Sequence, residues 1–330
     1  MIVAAIDTGG TKIAGAAVDE SGNILYRLSY PNTGRTGPFI LDTYEQIVGD
    51  LQKKFQISAI GIGTGGRIDP RDGTVIYATS VYKDYIGLSI GTIMTKRCAL
   101  PAAVDNDCRV AVCGERWKGA AQGYESVFGI ILGTGAGGGF IQGGNIVPGA
   151  GFGAGEIGHL ILYPGGKLCD CGQKGCAEQY ISGTALWQAY NCRVGDGAAG
   201  DIAGGYRVGD GAAGDIAGGS RVGGMEITSG YEFFQLVSGS DPLAQSILDD
   251  FTVDLATCAV SVSNLLSPQA ILIGGGLIDT ADIWWERFAS AYNEYGNAHC
   301  RNTVLLKAAT GNDAALLGAA CIAFERLRGS

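Results

Sequence analysis

The sequence predicts an α/β protein in which two lobes of similar plan face each other. Its 330 residues are long for one compact core and sufficient for two. Each half opens with a strand, a glycine-rich turn and a second strand, and the turns lie at residues 7–12 and 133–139. Such strands alternate with helical patterns along the chain, which is typical of layered α/β folds.

The first half is predicted to begin with a β-meander and to continue with a helix. Short apolar runs separated by turn residues predict strands at residues 2–6, 12–18, 24–29, 57–62 and 102–104. Apolar side chains at spacings of three and four predict an amphipathic helix through Ile40, Tyr44, Ile47, Leu51 and Phe55. A further helix is expected at about residues 109–117.

The second half repeats this plan. Strands are predicted at residues 127–132, 139–141 and 270–273. Asp241 and Pro242 supply an N-cap and a first-turn proline for a long helix to about residue 266. A last helix at about residues 312–326 is expected to pack back on the first lobe. We therefore assign residues 1–117 and 311–330 to an N-terminal lobe and residues 118–310 to a C-terminal lobe.

One segment differs from the rest in composition. Residues 193–205 recur letter for letter at 207–219, and a third copy begins at Arg221. Two copies are too few for a solenoid, and their Gly and Ala content leaves little to bury. We interpret residues 193–223 as a flexible insertion, in preference to a ligand-binding element, and expect its deletion to leave the fold intact.

Composition and charge exclude several classes of protein. The chain is 46% hydrophobic, 17% charged and carries a net charge of −9, and no cluster of Lys and Arg exceeds two residues. A nucleic-acid partner is therefore not expected. No apolar stretch approaches the ~18 residues of a membrane span, and the start shows no targeting signal. Most of the ten cysteines are scattered singly, which favours the reducing cytoplasm.

Three glycine turns at strand ends indicate a nucleotide cleft. Glycines at 9–10, 133–139 and 274–276 let the backbone approach a phosphate or an adenine ring. Asp7, at the end of the first strand, could hold Mg²⁺. Each turn alone is better explained as a tight turn, but three together favour binding.

Asn106 and Asp107 follow a short strand and precede a helix. An Asp at such a strand end could accept a proton from a substrate hydroxyl. Asp also commonly serves as a helix N-cap, and position alone favours the cap for Asp107.

The strongest local pattern is a cluster of one histidine and three cysteines. His159, Cys169, Cys171 and Cys176 offer four N and S ligands without a vacancy, which predicts a structural, tetrahedral Zn²⁺ site. Glu156 and Glu178 flank this cluster. They are either solvated surface acids or functional carboxylates on loops that the metal holds in place.

Together these motifs resemble the ROK family of repressors, open reading frames and kinases. The resemblance rests on Asp-x-Gly-Gly-Thr-Lys at 7–12, Asn106-Asp107, Gly-Glu-Ile-Gly-His at 155–159 and Cys-x-Cys-Gly-x-x-Gly-Cys-x-Glu at 169–178. It spans nearly the whole chain except about 193–223. It implies an actin-like ATPase, ribonuclease-H-like fold with two lobes around a nucleotide and sugar cleft. It also implies a homodimer or homotetramer.

The resemblance assigns roles by position. It implies that Asp107 is the general base and that sugar is bound by Gly65, Gly66, Asn106, Asp107, Glu156, His159 and Glu178. The predicted nucleotide side consists of Asp7, Gly9, Gly10, Thr11, Lys12, Gly133, Thr134, Gly135, Gly275 and Gly276. The resemblance also implies that the N-terminal lobe binds sugar and phosphate and that the C-terminal lobe binds the nucleotide and zinc. Three departures from the family pattern stand out. Cys108-Arg109 replace small residues after Asp107, the first-lobe loop reads Gly-Thr-Gly-Gly-Arg, and the family's aromatic segment that helps frame the sugar is hard to place near Asp84–Leu88.

The function that the resemblance implies is ATP-dependent phosphorylation of a hexose, with glucose as the leading substrate and Mg²⁺ as the ion. Kinases of N-acetylmannosamine or N-acetylglucosamine are the alternative. A sugar-responsive regulator is a weaker one, because a DNA-binding segment would precede the core and only six residues precede Asp7.

Overall fold

Two five-stranded sheets organise the part of the chain that the structure describes. The computed structural model describes residues 1–79, 82–195 and 226–329. The first sheet has the order β3-β2-β1-β4-β7. Its strands are β1 (Ile2–Thr8), β2 (Lys12–Asp19), β3 (Ile24–Pro31), β4 (Ile57–Thr64) and β7 (Ala102–Asn106). β1 to β3 form an antiparallel meander, whereas β4 and β7 join β1 in parallel.

The second sheet repeats the first. Its order is β10-β9-β8-β11-β12. Its strands are β8 (Ser126–Leu132), β9 (Ala136–Gln142), β10 (Asn145–Ile146), β11 (Ala270–Gly274) and β12 (Val304–Lys307). β8, β9 and β10 are antiparallel neighbours, and β11 and β12 continue in parallel from β8. The repeated plan that the sequence predicted is therefore present in both halves.

Helices cover the sheets. They are α1 (Gly37–Gln52), α2 (Ile90–Cys98), α3 (Asp107–Lys118), α4 (Glu178–Ile181), α5 (Gly183–Gly195), α6 (Gly230–Ser238), α7 (Pro242–Leu266), α8 (Ala281–Tyr295) and α9 (Ala314–Arg328). A small hairpin, β5 (Arg67–Asp69) with β6 (Thr74–Tyr77), follows the first-lobe loop. The sequence patterns did not predict this hairpin, and the predicted α1 was three residues too long.

Local chemistry explains where the main helices start. Thr36 caps α1, and the apolar stripe of that helix is fully buried against the first sheet. The Asp241 side chain accepts a hydrogen bond of 2.8 Å from the amide of Ala244, as expected for the cap of α7. The long helix predicted to end at about residue 266 ends at Leu266.

Helices α3 and α9 cross with their backbones in contact. A Cβ at Gly114 would lie 2.1 Å from the carbonyl oxygen of Ala314, and one at Gly318 would lie 1.7 Å from that of Val110. α9 also packs on β1 and β4, so the end of the chain returns to the first sheet. The lobe boundaries at 117/118 and 310/311 stay a prediction.

Two further expectations concern the flexible insertion and the membrane. The insertion predicted at residues 193–223 lies almost wholly outside the described residues. Within the described ranges, none of the helices has the length and apolar character that a bilayer crossing requires.

The α3–α9 crossing gives a prediction about stability. Gly318→Ala places a methyl group against the backbone of Val110, and we expect the free energy of unfolding to fall by about 1–3 kcal/mol. The matched control is Gly49→Ala in α1, where nothing lies within 4 Å of the new methyl group. That change should raise stability by about 0.5–1 kcal/mol, because alanine favours the helix. Urea unfolding of both variants measures the difference, and equal effects would contradict the close crossing.

Candidate active site

The carboxyl ends of three neighbouring strands in the first sheet carry the central side chains. Asp7 pairs with Gly63 across β1 and β4, and Asn106 pairs with Thr64 across β7 and β4. These residues therefore reach the same edge of the sheet. In open α/β sheets this edge is where ligands bind.

Asn106, and not Asp107, caps α3. Its side-chain oxygen accepts hydrogen bonds from the amides of Cys108 at 3.0 Å and Arg109 at 3.1 Å. Its Nδ2 donates to the carbonyl oxygen of Gly66 at 3.0 Å, so the same side chain also holds the first-lobe loop. Asp107 is the first residue of the helix. Its Oδ1 accepts from the amide of Cys108 at 2.8 Å.

The other oxygen of Asp107 faces the first-lobe loop. A Cβ at Gly65 would lie 4.0 Å from Asp107 Oδ2, so the absence of a side chain there keeps the space beside the carboxylate open. Burial raises the pKa of Asp107, and the negative charge of Glu156 raises it further. The carboxylate is thus a stronger base than an exposed aspartate.

Asp7 is electrostatically coupled to Asp107. Burial and then the charge of Asp107 raise the pKa of Asp7 to about 6, while Lys12 opposes the shift. Two nearby carboxylates that repel each other favour the binding of a divalent cation. The arrangement can therefore place an ion next to the base.

Tyrosines that sequence reasoning missed form the floor of this edge. Tyr85 and Thr64 share a buried hydrogen bond of 2.5 Å between their hydroxyls, and Tyr44 and Thr8 share another of 2.6 Å. Tyr82 stacks on Tyr85 with ring centroids 5.2 Å apart. Burial, with a smaller effect of Asp107, raises the pKa of Tyr82 to about 12, so it stays a neutral donor. The only sequence signal was two tyrosines three residues apart.

Glu156 and His159 come from the second lobe. Glu156 precedes a short 3₁₀ turn, Ile157–His159, and His159 ends it. His159 Nε2 lies 4.0 Å from Glu156 Oε2, and Arg67 Nε of the first lobe lies 4.0 Å from Glu156 Oε1. The charge of Glu156 also contributes to the raised pKa of Asp107, so the two carboxyl groups interact electrostatically. Arg67 was not among the predicted site residues.

The histidine–cysteine cluster is assembled as the spacing predicted. The ligand atoms of His159, Cys169, Cys171 and Cys176 all lie within 4.8 Å of one another. His159 Nδ1 is 3.8 Å from Cys169 Sγ, and the sulfurs of Cys171 and Cys176 are 3.6 Å apart. Tetrahedral Zn²⁺ with bonds of about 2.0–2.3 Å requires ligand atoms roughly 3.3–3.8 Å apart. The donor set and its spacing fit that ion.

A positive φ at Gly175 allows the loop of this cluster to turn. Its φ is +85°, and a Cβ there would lie 1.7 Å from the carbonyl oxygen of Tyr163. Cys176 follows directly and Glu178 begins α4 two residues later. The cluster therefore connects the loop of Glu156 and His159 with the helix that starts at Glu178.

Glu178 contacts the second glycine turn. Its Oε2 accepts from the amide of Ala136 at 3.0 Å, and a Cβ at Gly135 would lie 2.4 Å from that oxygen. Gly275 has a φ of +85° and packs on Leu132, directly before Gly133. The predicted nucleotide residues of the second lobe are thus brought together, and Glu178 lies among them.

The first glycine turn is held within its own lobe. The Gly9 amide donates to the carbonyl oxygen of Lys12 at 3.0 Å. Asn32, a buried residue that sequence reasoning missed, donates from Nδ2 to the carbonyl oxygen of Gly9 at 2.9 Å and from its amide to that of Thr11 at 2.8 Å. Around Gly10 and Gly133 nothing lies within 4 Å of a Cβ position, so both turns present open backbone.

Comparison with known proteins agrees with these features. A glucokinase from Streptomyces coelicolor is 33% identical over 335 residues, which cover 97% of this chain and 96% of that protein. An N-acetyl-D-glucosamine kinase from Escherichia fergusonii is 28% identical over 286 residues, 82% of each chain.

A solved structure shares the whole architecture. The crystal structure of a ROK family glucokinase from Streptomyces griseus, in complex with glucose and AMPPNP, is 30% identical with a TM-score of 0.78. The match covers 98% of this chain and 100% of that one. With the repeated sheet order, it confirms the predicted actin-like, ribonuclease-H-like fold. The ROK family model matches residues 3–326, and the chain therefore belongs to the ROK family.

Proposed function

We propose that this chain is an ATP-dependent hexose kinase that converts glucose to glucose 6-phosphate, with Asp107 as the general base. The observation that carries the proposal is the position of the Asp107 carboxylate. Asn106 shares the capping of α3, so Asp107 Oδ2 stays open beside Gly65, and the charge of Glu156 raises the pKa of the carboxyl. The similarity to glucokinases over nearly the full chain supports the reaction class.

The chemical step is an in-line phosphoryl transfer. The sugar hydroxyl lies against Asp107, which accepts its proton as the oxygen attacks phosphorus. Because its pKa is raised, the Asp107 carboxylate binds the hydroxyl proton more strongly than an ordinary aspartate does. Closure of the lobes aligns the two reactants and excludes water.

The nucleotide side is formed by backbone amides more than by cationic side chains. The backbone is open at Gly10 and Gly133. The amides of these two turns, apart from those of Gly9 and Gly133, which bond within the turns, are proposed to donate to phosphate oxygens. Asp7 would hold Mg²⁺, which neutralises phosphate charge when it is bound. Thr11, Lys12 and Thr134 complete the proposed phosphate contacts, and Gly276 leaves room for the adenine.

The sugar side is proposed to combine Asn106, Gly65, Gly66, Glu156, His159 and Glu178. Glu178 is held by the amide of Ala136, so it lies between the sugar and the second glycine turn. Arg67 joins this set because it approaches Glu156 from the first lobe. N-acetylglucosamine is the second candidate, because an N-acetyl-D-glucosamine kinase aligns over 82% of the chain. A coupled ADP assay with a panel of hexoses and N-acetylhexosamines separates the two.

We also propose that the histidine–cysteine cluster holds a structural Zn²⁺. The four ligand atoms lie within 4.8 Å of one another and leave no open position for a substrate. When bound, the ion would fix the loops of His159 and Glu178. It has no part in the chemical step.

Assembly and compartment belong to the same proposal. We expect a homodimer or homotetramer, which sedimentation of the purified protein measures. All ten cysteines are free, which supports a reducing compartment such as the cytoplasm.

The assignment of Asp107 as the base predicts what happens when its carboxylate is replaced by a neutral amide. Asp107→Asn should lower kcat roughly 10²–10⁴-fold, because the amide cannot accept the hydroxyl proton. The sugar should still bind, which isothermal titration calorimetry measures. Near-normal turnover in this variant would show that Asp107 is not the base.

The charge of Glu156 predicts a shift in pH dependence. Because the pKa of Asp107 is raised, its base form is lost as pH falls through a value above that of an ordinary aspartate. Glu156→Gln removes a negative charge and should move the acid limb of kcat, at saturating sugar, to lower pH. Glu286→Gln, an exposed change on α8, is the control and should leave the limb in place. An unmoved limb in Glu156→Gln would assign the titration to another group.

The metal proposal predicts a difference between two cysteines. Cys171→Ser should lower bound zinc from about one equivalent per chain. Sugar binding or folding should weaken as well, because the free energy of metal binding no longer contributes to folding. Cys192→Ser changes an exposed cysteine outside the cluster and should keep the metal. Elemental analysis measures zinc per chain, and a fully active, metal-free wild-type protein would contradict the proposal.

A further inference from the structure

Arg109 is a buried cation close to the site without a part in the mechanism above. It lies two residues after Asp107 in α3, at a position where the family resemblance predicts a small residue. Its side chain is 2% exposed and pairs with Asp105, 5% exposed, at 2.5 Å. A buried charge is stable only if it is paired and hydrogen-bonded, so its remaining contacts are informative.

The guanidinium of Arg109 joins the two lobes. It donates to the carbonyl oxygen of Ile68 at 3.1 Å in the hairpin of the first lobe. It also donates to the carbonyl oxygens of Pro148 at 3.3 Å and Phe152 at 3.1 Å in the second lobe. Both terminal nitrogens of the guanidinium are thus bonded, to these three carbonyl oxygens and to the carboxylate of Asp105.

Phe152 is held in an unfavourable backbone conformation. Its φ is +58°, in the left-handed region, which is unfavourable for a non-glycine residue. Two contacts from the first lobe offset this cost. Arg109 binds its carbonyl oxygen, and the guanidinium of Arg71 lies 5.1 Å from the centroid of its ring. Arg71 is itself paired with Asp69 at 2.5 Å.

The segment that these arginines hold leads directly to Glu156. We call residues 148–156 the sugar strap. Within it, a Cβ at Gly153 would lie 2.8 Å from Arg67 Nε, so the strap passes close to a third first-lobe arginine. The position of Glu156 therefore depends on contacts that cross between the lobes.

Two partners of Arg109 border a cavity. Asp105 and Pro148 are among the residues that line a space of about 250 Å³, together with Ala103 and Ile322. The polar contacts of Arg109 therefore connect the strap to the first lobe beside this cavity.

We propose that Arg109 is a positioning residue for sugar binding: it fixes the strap through Phe152 and so sets Glu156 against the substrate. This inference rests on the proposed hexose kinase function. Loss of the contact should weaken sugar binding more than nucleotide binding, because the strap carries Glu156 and none of the residues that we assign to the nucleotide.

The test is Arg109→Lys. Lysine keeps the positive charge beside Asp105 but cannot bridge several carbonyl oxygens with a planar fork. We expect the KM for sugar to rise about tenfold, equivalent to about 1.4 kcal/mol, while the KM for ATP changes less than about twofold. Amide hydrogen exchange in residues 148–156 should accelerate. Arg97→Lys, a surface pair with Asp42 and Glu45, is the matched control and should change none of these quantities.

A merely structural Arg109 gives a different result. If Arg109→Lys lowers Tm but leaves the sugar KM and the exchange of the strap unchanged, the proposal is wrong. If the variant does not fold, Arg71→Gln decides, since Arg71 is 77% exposed and its loss spares the buried pair. A two- to fivefold rise in sugar KM then supports the proposal, as expected for a lost cation–π contact, and an unchanged KM overturns it.

Failure of the proposed function would look different again. A wild-type protein that phosphorylates no hexose would refute the kinase assignment. Hydrogen exchange in the strap does not depend on turnover, so it would still report whether Arg109 holds residues 148–156.

Discussion

The cap of α3 by Asn106 is the interaction on which the candidate site depends. The first turn of any helix has amides without intrahelical partners, and a short polar side chain at the strand–helix junction must satisfy them. Because Asn106 accepts from two of these amides, Asp107 uses only Oδ1, for the amide of Cys108, and keeps Oδ2 toward the first-lobe loop. The remaining amide nitrogen of Asn106 binds Gly66, which also fixes the loop after β4. The Asn106 side chain thus fixes the positions of both the helix start that carries Asp107 and the loop that carries Gly66.

The same helix explains why the two lobes stay coupled. α3 packs against α9 on the first-lobe side, where glycines bring the backbones into contact, and against β8 and β9 on the other. A Cβ at Gly139 would lie 2.8 Å from Arg109 Cα, and one at Gly129 would lie 2.0 Å from the side chain of Val112. Small residues on both surfaces let a single helix serve two sheets. Motion between the lobes must therefore be accommodated around the helix that carries Asp107.

Much of this arrangement could be predicted from the sequence, for a physical reason. The strands, α1, α7 and the metal cluster are encoded in short windows, as apolar periodicity, caps or ligand spacing. The first-lobe tyrosines, Asn32 and Arg67 could not be found in this way, because their roles come from contacts between residues distant in the chain. Asn32 stabilises a distant turn through its hydrogen bond to Gly9, which lies 23 residues earlier in the chain. Arg109 was visible only as a departure from a pattern, and its partners at Pro148 and Phe152 become neighbours only in the folded chain.

The geometry of His159 shows how the proposed metal would affect the sugar. Its Nδ1 faces the cysteine cluster, and its Nε2 faces Glu156. A ring that gives Nδ1 to a metal is neutral and must carry its proton on Nε2, so it can only donate there. Glu156, as a carboxylate, can only accept. A hydroxyl group between the two is then offered one donor and one acceptor, which suits a sugar hydroxyl and excludes a group that can only donate. On this argument a zinc ion outside the reaction would select the substrate by fixing the direction of one hydrogen bond.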